Sequence, residues 1–404
     1  MNNLLVAPIF LPLLAAALGM AAWRNVRVQT ALGVVTTFAV FGCAVELLRQ
    51  VAGGGHLVLR VGGWPAPFGI VLVADVFAAL MVLLTSGIAV AVAVFSVSAV
   101  DPGRRCYGWY PLMLVLSAGV NLAFLTGDLF NLFVAFELML IASFVMVSLG
   151  GEKAQLEGAL KYVTLNLVSS ALFLTAVGLV YGMTGTLNLA DLAQRLPALE
   201  NRAMVLASGM LLLAAFGIKA AIFPLFFWLP AAYHTLPPPG AALFAGTLTK
   251  VGVYAMVRVF TLLIPLGEWH LREILLATAG LTMVVGVLGA AVQVEMRRIL
   301  AFHIISQIGY LLMGLAIYAP LALAGMVFFM IHNVLAKSNL FLVSGAVLQI
   351  QGSTELKRLG ELYRARPLLA VLFLVPALSL AGIPPFSGFF AKLLLVRAGL
   401  EIEQ

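Results

Sequence analysis

Charge is the property that this sequence lacks most. Charged residues make up only 10% of its 404 positions, whereas they make up about a quarter of a typical soluble domain. Apolar residues make up 63%, and the mean hydropathy is +1.11. So few polar side chains cannot cover the surface of a water-soluble globule. The composition therefore predicts a chain whose solvent is lipid.

The net charge of +7 does not indicate nucleic-acid binding, although it is strongly basic. Nucleic-acid-binding segments carry Lys and Arg in blocks, whereas here these residues occur singly and in pairs, mostly in short loops. That placement is typical of residues that orient a membrane protein. No nucleic-acid partner is expected.

Cysteines and cofactor motifs are also scarce. The two cysteines, Cys43 and Cys106, lie far apart without ligand-like neighbours, so neither a disulfide nor a metal site is predicted. The sequence has no G-x-G-x-x-G, Walker loop, C-x-x-C set, H-E-x-x-H or paired histidines suited to haem. No cofactor is expected, and nothing indicates an enzyme that acts on covalent bonds alone.

Long apolar runs dominate the sequence. A helix of about 20 apolar residues crosses the ~30 Å hydrocarbon core of a bilayer. The first run lacks a convincing signal-peptide cleavage site and is interpreted as a membrane span. The runs predict an all-α membrane protein with about 12 transmembrane helices, at 3–22, 28–48, 71–99, 110–126, 128–149, 159–184, 203–233, 238–264, 273–293, 298–317, 321–350 and 367–400.

Prolines interrupt two of these runs in mid-span. The seventh contains Pro224 and Pro230, and the twelfth contains Pro384 and Pro385. Proline removes a backbone donor and kinks a helix, and such breaks persist only where the freed groups face protein or a wet cavity. The seventh and twelfth helices are therefore predicted to be broken.

The basic residues of the loops predict the orientation of the chain. The odd-numbered loops hold eleven Lys and Arg, and the even-numbered loops hold five. Because Lys and Arg accumulate on the cytoplasmic side, the N-terminus is expected outside.

An internal repeat is visible when the chain is shifted along itself. One constant shift places Asn166 on Asn333, Gly178 on Gly345, and Asp128 on Glu295 just before a span. Near the breaks, a slightly smaller shift places Gly217-Ile218 on Gly382-Ile383. Units that lie five spans apart have opposite topology, which predicts an inverted repeat of the kind found in many transporters.

The repeat divides the chain into three predicted regions. Residues 1–109 hold the first three helices, 110–264 the first repeat with helices 4–8, and 273–404 the second repeat with helices 9–12. A complete second repeat would also contain a thirteenth span. The sequence therefore predicts a C-terminally incomplete chain, with a natural short variant as the alternative.

Several ionisable residues fall in the middle of predicted spans. Each charge at the bilayer centre costs about 2.5–3.5 kcal/mol on insertion scales. Such residues can snorkel or tie helices together, and snorkelling is expected for Lys161, Arg258 and Asp75, which lie near span ends. The residues predicted to have a functional role are Glu137, Lys219, Lys250, His332, Lys337 and Lys392.

These residue types suit proton transfer. A nearby carboxylate such as Glu137 favours the ammonium form of a lysine, while desolvation favours the neutral amine, and a balance between the two allows proton exchange. His332 suits a relay, although a core histidine bonded to a carbonyl is the alternative. His303 and His234 lie nearer helix ends and are weaker candidates. Asp128 and Asn131 fit either a cation site or a helix cap.

Five stretches give the chain a specific resemblance over nearly its whole length. It resembles the antiporter-like membrane subunits shared by Mrp-type Na⁺/H⁺ antiporters and respiratory complex I, and among them it is most similar to the Mrp type. Such subunits usually have fourteen spans. The stretches are GDLFNLFVAFELMLIASF (127–144), FGIKAAIFPLFFWLPAAYHTLPPPGAALFAGTLTKVGVY (216–254), RRILAFHIISQIGYLLMG (297–314), IHNVLAKSNLFLVSG (331–345) and AGIPPFSGFFAK (381–392).

The resemblance implies a role for each candidate residue. Glu137 matches the glutamate of span five, Lys219 and Lys250 the lysines of spans seven and eight, and Lys392 the lysine of span twelve. His332 and Lys337 match the ionisable positions of span eleven. In that family these residues form a hydrated polar axis along the membrane midplane, through which protons pass.

The implied function is proton translocation within a multisubunit Na⁺(K⁺)/H⁺ antiporter of a bacterial inner membrane. The implied partners are other membrane subunits, the transported ions and the bilayer. One alternative is the equivalent pump subunit of complex I or a membrane-bound hydrogenase. Another is a structural scaffold whose charges only tie helices together.

Overall fold

The computed structural model describes residues 3–267 and 270–401. Within these ranges the chain forms a helical bundle with one small antiparallel sheet, β1 (Leu57–Arg60) and β2 (Val71–Ala74). The helices, in chain order, are α1 (Ala7–Ala21), α2 (Val26–Gly54), α3 (Val76–Ala99), α4 (Pro102–Cys106), α5 (Trp109–Leu125), α6 (Leu129–Ser148), α7 (Lys153–Thr184), α8 (Leu189–Arg195), α9 (Arg202–Ala220), α10 (Trp228–Tyr233), α11 (Pro238–Leu262), α12 (Leu271–Ala291), α13 (Met296–Ile317), α14 (Pro320–Gln351), α15 (Leu362–Ala365), α16 (Pro367–Ala381) and α17 (Ser387–Glu401).

The predicted membrane architecture is confirmed. In the described ranges, nine helices are long and apolar enough to cross a bilayer, and three shorter apolar helices, α1, α5 and α16, accompany them. The seventh predicted span is divided into α9 and α10, and the twelfth into α16 and α17. The chain is therefore an all-α membrane protein with about twelve spans, and its seventh and twelfth helices are broken.

Three span boundaries differ from the prediction by five or six residues: the second span ends at Gly54, and the third and sixth spans start elsewhere than predicted. Residues 71–74 form β2 rather than the start of the third span, because Val-Leu-Val-Ala pairs with β1 in a register that places Leu57 opposite Ala74. The third span starts instead at Val76, where the Asp75 carboxylate accepts a bond from the Ala78 N–H at 2.8 Å. The sixth span begins at Lys153, earlier than predicted. Its first turns are exposed and polar, so the apolar run on which the prediction rested starts only after them.

The inverted repeat is visible in the backbone hydrogen bonds. Asp128 forms an isolated antiparallel bridge with Asn188, and Glu295 forms one with Glu355, so both partners obey the shift found in the sequence. Asp128 and Glu295 also cap the helices that follow them. The first bridge lies where α6 begins and α7 ends, and the second where α13 begins and α14 ends. Because α6 and α13 cross in opposite directions, the bridges lie at opposite membrane faces.

The helix breaks correspond differently from the prediction. The N–H of Ala221 bonds to the carbonyls of Gly217 and Ile218, and the N–H of Gly382 bonds to those of Leu378 and Ser379. Ala221 is therefore the counterpart of Gly382, and the predicted match of Gly217 with Gly382 is wrong. Both turning residues have positive φ, 61° at Ala221 and 86° at Gly382. The sequence match relied on two identical Gly-Ile pairs. It was wrong because an alanine, Ala221, occupies the left-handed position in the first break where the second break has a glycine.

Helix α11 is the centre of the bundle. Its whole apolar window is buried, and it contacts α3, α5, α9, α13 and α14. Glycines permit this close packing. A Cβ on Gly252 would lie 2.7 Å from the Ala220 nitrogen and 3.0 Å from the Lys219 carbonyl carbon. Because Gly252 has no side chain, the backbone of Lys219 can pack directly against α11.

Substituting Gly252 tests this contact. Gly252→Ala is expected to destabilise the protein by about 1–3 kcal/mol, because the added methyl group meets backbone atoms that cannot rotate away. Gly178→Ala is the matched control, since nothing lies within 4 Å of a Cβ at that helical position. Thermal unfolding of the two purified variants measures the difference. Equal unfolding temperatures for both variants would contradict the assignment.

Candidate functional site

The six predicted residues lie on five helices of the bundle. Glu137 is on α6, Lys219 on α9, Lys250 on α11, and Lys392 on α17, while α14 carries His332 and Lys337. Lys250 and Lys337 have no exposed surface, and Lys219 is 9% exposed. Glu137 and Lys392 are only partly buried. The most buried charges therefore occupy the middle of the set, and the two ends are more accessible.

Glu137 and Lys219 form the first part of the site. The Ser170 hydroxyl on α7 donates a hydrogen bond to the Glu137 carboxylate. Lys219 interacts electrostatically with Glu137, and its Nζ lies 5.6 Å from the centre of the Phe136 ring. The carboxylate and the aromatic face both favour a cation at this position.

A small cavity adjoins Lys219. Its volume of about 20 Å³ is enough for about one water molecule. Tyr162 and Asn166 of α7 line it together with Trp228 and with Leu248 of α11. A few polar groups among apolar side chains therefore line a water-sized space beside Lys219.

Lys250 lies at the centre of α11. Its Nζ donates a 2.6 Å hydrogen bond to the Ala245 carbonyl oxygen, so the side chain runs back along its own helix. A Cβ on Gly246 would lie 2.3 Å from the Ser338 hydroxyl of α14, so this end of the lysine is next to α14. Lys337 interacts electrostatically with Lys250.

Lys337 pairs with His303, which the sequence indicated only weakly. The Nζ of Lys337 lies 2.5 Å from Nδ1 of His303 on α13. His303 is seven residues inside α13, about 10 Å along the helix, and not at its end. The shift that matches Asn166 with Asn333 also places Ser170 on Lys337 and Phe136, the neighbour of Glu137, on His303, so the two pairs lie at similar positions of the repeat.

His332 lies apart from this pair. Its Nδ1 is 3.0 Å from the Ser387 hydroxyl and 3.3 Å from the Ser379 hydroxyl, at the break between α16 and α17. It lines a crevice of about 790 Å³ between α2, α3, α14 and α16. Lys392 and Lys337 both interact with it electrostatically. The structure thus brings His332 to the helix break and His303 to Lys337.

Lys392 is bound to the same break. Its Nζ donates a 2.8 Å hydrogen bond to the Leu380 carbonyl oxygen and lies 5.0 Å from the centre of the Tyr310 ring. At the break of the seventh span a neutral donor bonds a nearby carbonyl, because the Trp228 indole donates to Ile218, the counterpart of Ser379, at 2.9 Å. The second break thus holds a cation, and the first holds an aromatic side chain on the carbonyl one residue earlier.

Unpartnered polar atoms lie close to the buried lysines. Among residues 3–267 and 270–401, no two ionisable residues of the set share a direct hydrogen bond, and Lys337 bonds His303 instead. Buried polar groups are almost always satisfied, by protein or by water. The buried side-chain atoms that lack a protein partner on α11, α13 and α14 are Thr249 Oγ1, Ser306 Oγ, Gln307 Oε1, His332 Nε2 and both amide atoms of Asn333.

The remaining charged candidates have structural roles. Arg258 forms a 2.6 Å ion pair with Asp75 and also bonds the Tyr254 hydroxyl, so it ties α11 to α3 and does not snorkel. Lys161 is exposed and pairs with Glu157. Asp128 caps α6. Within the described part of the chain, no group of three or more His, Cys, Asp or Glu lies close enough to hold a metal ion.

Comparison with known proteins identifies the family of this chain. Residues 126–404 match the family model described as "NADH:quinone oxidoreductase/Mrp antiporter, TM". The chain is 46% identical to a protein of Alkalihalophilus pseudofirmus that is named as the D subunit of a Na⁺/H⁺ antiporter. The alignment covers 100% of this chain and 82% of that protein.

Two solved structures share the fold. A chain of the Mrp complex from Dietzia sp. DQ12-45-1b aligns with a TM-score of 0.92 and 36% identity, over 99% of this chain and 75% of that one. A chain of the membrane-bound sulfane sulfur reductase, an archaeal respiratory complex, aligns with a TM-score of 0.93 and 29% identity, over 98% of this chain and 82% of that one. Family model, relative and structures agree: this chain belongs to the NADH:quinone oxidoreductase/Mrp antiporter family of membrane proteins.

Proposed function

We propose that this chain is the proton-translocating subunit of a multisubunit Mrp-type Na⁺/H⁺ antiporter. The observation that carries the proposal is the row of mid-membrane ionisable residues, which reaches from Glu137 on α6 to Lys392 on α17. Lysines with no exposed surface at mid-membrane are costly, and such residues usually have a function. The relative named as the D subunit of a Na⁺/H⁺ antiporter supports the same function.

Protons would pass along this row by electrostatic coupling. Glu137 stabilises the charged form of Lys219, and loss of that charge would free Lys219 to release its proton toward Lys250. Lys250 and Lys392 both interact with Lys337, so a charge on either one disfavours a charge on Lys337. Repulsion between neighbouring ammonium groups would thus drive a proton onward, from Lys337 with His303 and His332 to Lys392.

Water would complete the steps between these groups. The water-sized cavity beside Lys219 and the unpartnered polar atoms near Lys250 and Lys337 provide sites for it. A scaffold whose charges only tie helices together would need no such atoms, since each charge would be paired directly.

The chain is a multi-pass membrane protein, and its relatives are subunits of multisubunit membrane complexes. Its partners are therefore expected to be other membrane subunits. We propose the bacterial plasma membrane as its location and place the N-terminus outside, from the eleven-to-five distribution of basic residues in the loops. Under that orientation the Asp128–Asn188 bridge faces outside and the Glu295–Glu355 bridge faces the cytoplasm.

The respiratory alternative has the same fold. The structural agreement with the sulfane sulfur reductase is as good as that with the Mrp complex, so shape does not separate the two functions. Sequence identity favours the antiporter, at 46% and 36% against 29%. Genes for small Mrp subunits beside this one would support the antiporter, and genes for quinone-reducing subunits would support the alternative.

Replacing Lys219 tests the relay against the scaffold. Lys219→Ala is expected to lower Na⁺-driven proton flux at least about tenfold, because the row loses the group that Glu137 charges. The measurement is dye-detected proton movement in vesicles that contain the whole complex. Lys161→Ala is the control, because that lysine is exposed and pairs with Glu157. Wild-type flux in assembled complex with Lys219→Ala would refute the relay.

Replacing His303 tests the partner that the structure assigns to Lys337. His303→Phe copies the residue found at the equivalent position of the first repeat, and it removes the only side chain bonded to the Lys337 Nζ among the described residues. Flux is expected to fall at least about tenfold. His270→Phe should leave flux unchanged, since the His270 side chain is 88% exposed. Equal flux in the two variants would remove His303 from the path.

A further inference from the structure

Gln307 lies beside His303 on the side away from Lys337. The Nε2 of Gln307 is 3.4 Å from Nε2 of His303, one helical turn along α13, while the other ring nitrogen faces the Lys337 amine. The histidine ring therefore lies between a lysine and a carboxamide. A neutral imidazole has one donor and one acceptor nitrogen, so the groups at its two sides cannot be chosen independently.

The arrangement in the structure fits an uncharged Lys337. The Gln307 amide group donates, so Nε2 of His303 accepts and the ring proton is on Nδ1, where the neutral Lys337 amine accepts it. A charged Lys337 has only donors, so Nδ1 must accept and the ring proton moves to Nε2. That proton would then face the Gln307 amide hydrogens, and the carboxamide must rotate by half a turn to present Oε1.

Asn333 is a second buried carboxamide at the level of Gln307. Helices α13 and α14 are consecutive spans and run antiparallel. Gln307 lies four residues after His303 and Asn333 lies four residues before Lys337, so the two residues are at the same level of the bundle. Gln307 Oε1 and both amide atoms of Asn333 have no protein partner, although the residues are only 2% and 1% exposed. The two carboxamides share no direct hydrogen bond, so a water molecule would join them, and it can donate to one orientation of Gln307 and accept from the other.

We propose that the Gln307 carboxamide, backed through water by Asn333, is a rotating switch that sets the tautomer of His303 and so permits proton release from Lys337. In this step the Lys337 Nζ–H bond breaks and the His303 Nδ1–H bond forms. The proton already on Nε2 leaves to a water molecule, and Gln307 rotates to donate to the vacated nitrogen. One proton enters the ring and one leaves, and Gln307 itself carries none. Gln307 is thus a positioning residue, and the inference rests on the proposed proton relay.

Two substitutions of Gln307 separate this role from packing. Gln307→Leu nearly preserves volume but can neither donate nor accept, and Gln307→Ser loses volume but keeps a hydroxyl that does both and leaves space for a water. The switch predicts that Leu lowers Na⁺-driven proton flux at least about tenfold and that Ser retains clearly more. A packing role predicts the reverse order, since Ser leaves a cavity.

The experiment uses the whole complex in vesicles, with assembly checked by subunit recovery. Gln307→Met is measured as a second apolar variant, so that a folding defect of Leu alone does not decide the result, and the switch predicts the same low flux for it. Gln349→Leu is the matched control, because Gln349 is exposed and donates to the Ser98 carbonyl, away from the ionisable residues. Flux in the apolar variants equal to or above that of Gln307→Ser would overturn the switch.

Lys219→Ala in the same preparation distinguishes the two levels of the hypothesis. Low flux in Lys219→Ala with wild-type flux in Gln307→Leu and Gln307→Met would overturn the switch and leave the relay intact. Wild-type flux in Lys219→Ala would overturn the relay itself, and with it the switch. Low flux in Lys219→Ala, together with more flux in Gln307→Ser than in the apolar variants, is the result expected from both.

Discussion

Every ammonium group placed in the hydrocarbon layer must be solvated by the protein, and the helices are arranged around that need. A regular helix has no spare carbonyl to offer, because its backbone groups bond to each other. The chain meets this need differently at each lysine. Lys392 donates to a carbonyl freed by a helix break, and Lys337 contacts a histidine nitrogen. Lys219 lies near a carboxylate and an aromatic ring. Lys250 shares the Ala245 carbonyl with its own helix.

The repeat explains why these solutions differ while the backbone is shared. The pair α6–α7 in the first unit is equivalent to α13–α14 in the second, and an equivalent bridge joins each pair. The first pair carries Glu137 and Ser170, and the second carries His303 and Lys337. The first unit thus pairs a carboxylate with a neutral hydroxyl. The second pairs an imidazole, which has a nitrogen on each side, with an amine. Opposite topology places these pairs on either side of α11, where Lys250 lies between them.

Much of this architecture could be read from the sequence, because lipid imposes a strong pattern. Apolar runs located twelve spans, and prolines located both breaks. The hairpin of β1 and β2 was missed, since its apolar residues join the next span without a polar gap. The pairing of Lys337 with His303 and the separation of His332 were not predictable from adjacency in sequence. Residues five apart on α14 point about 140° away from each other, so only the neighbouring helices decide their partners.

Helix α11 has the lowest mean hydropathy of the nine long spans of the described chain, 1.4, and it is the one whose apolar window is fully covered. Such a helix gains little from lipid alone, and Lys250 makes its isolated insertion costly. Its cover includes α14, which begins only at Pro320, two long helices after α11 ends at Leu262. During synthesis, therefore, the eighth span must wait beside the translocation machinery or in an open bundle until the eleventh span arrives. Closure of the polar interior is then a late event of membrane biogenesis, set by the order in which the ribosome delivers the helices.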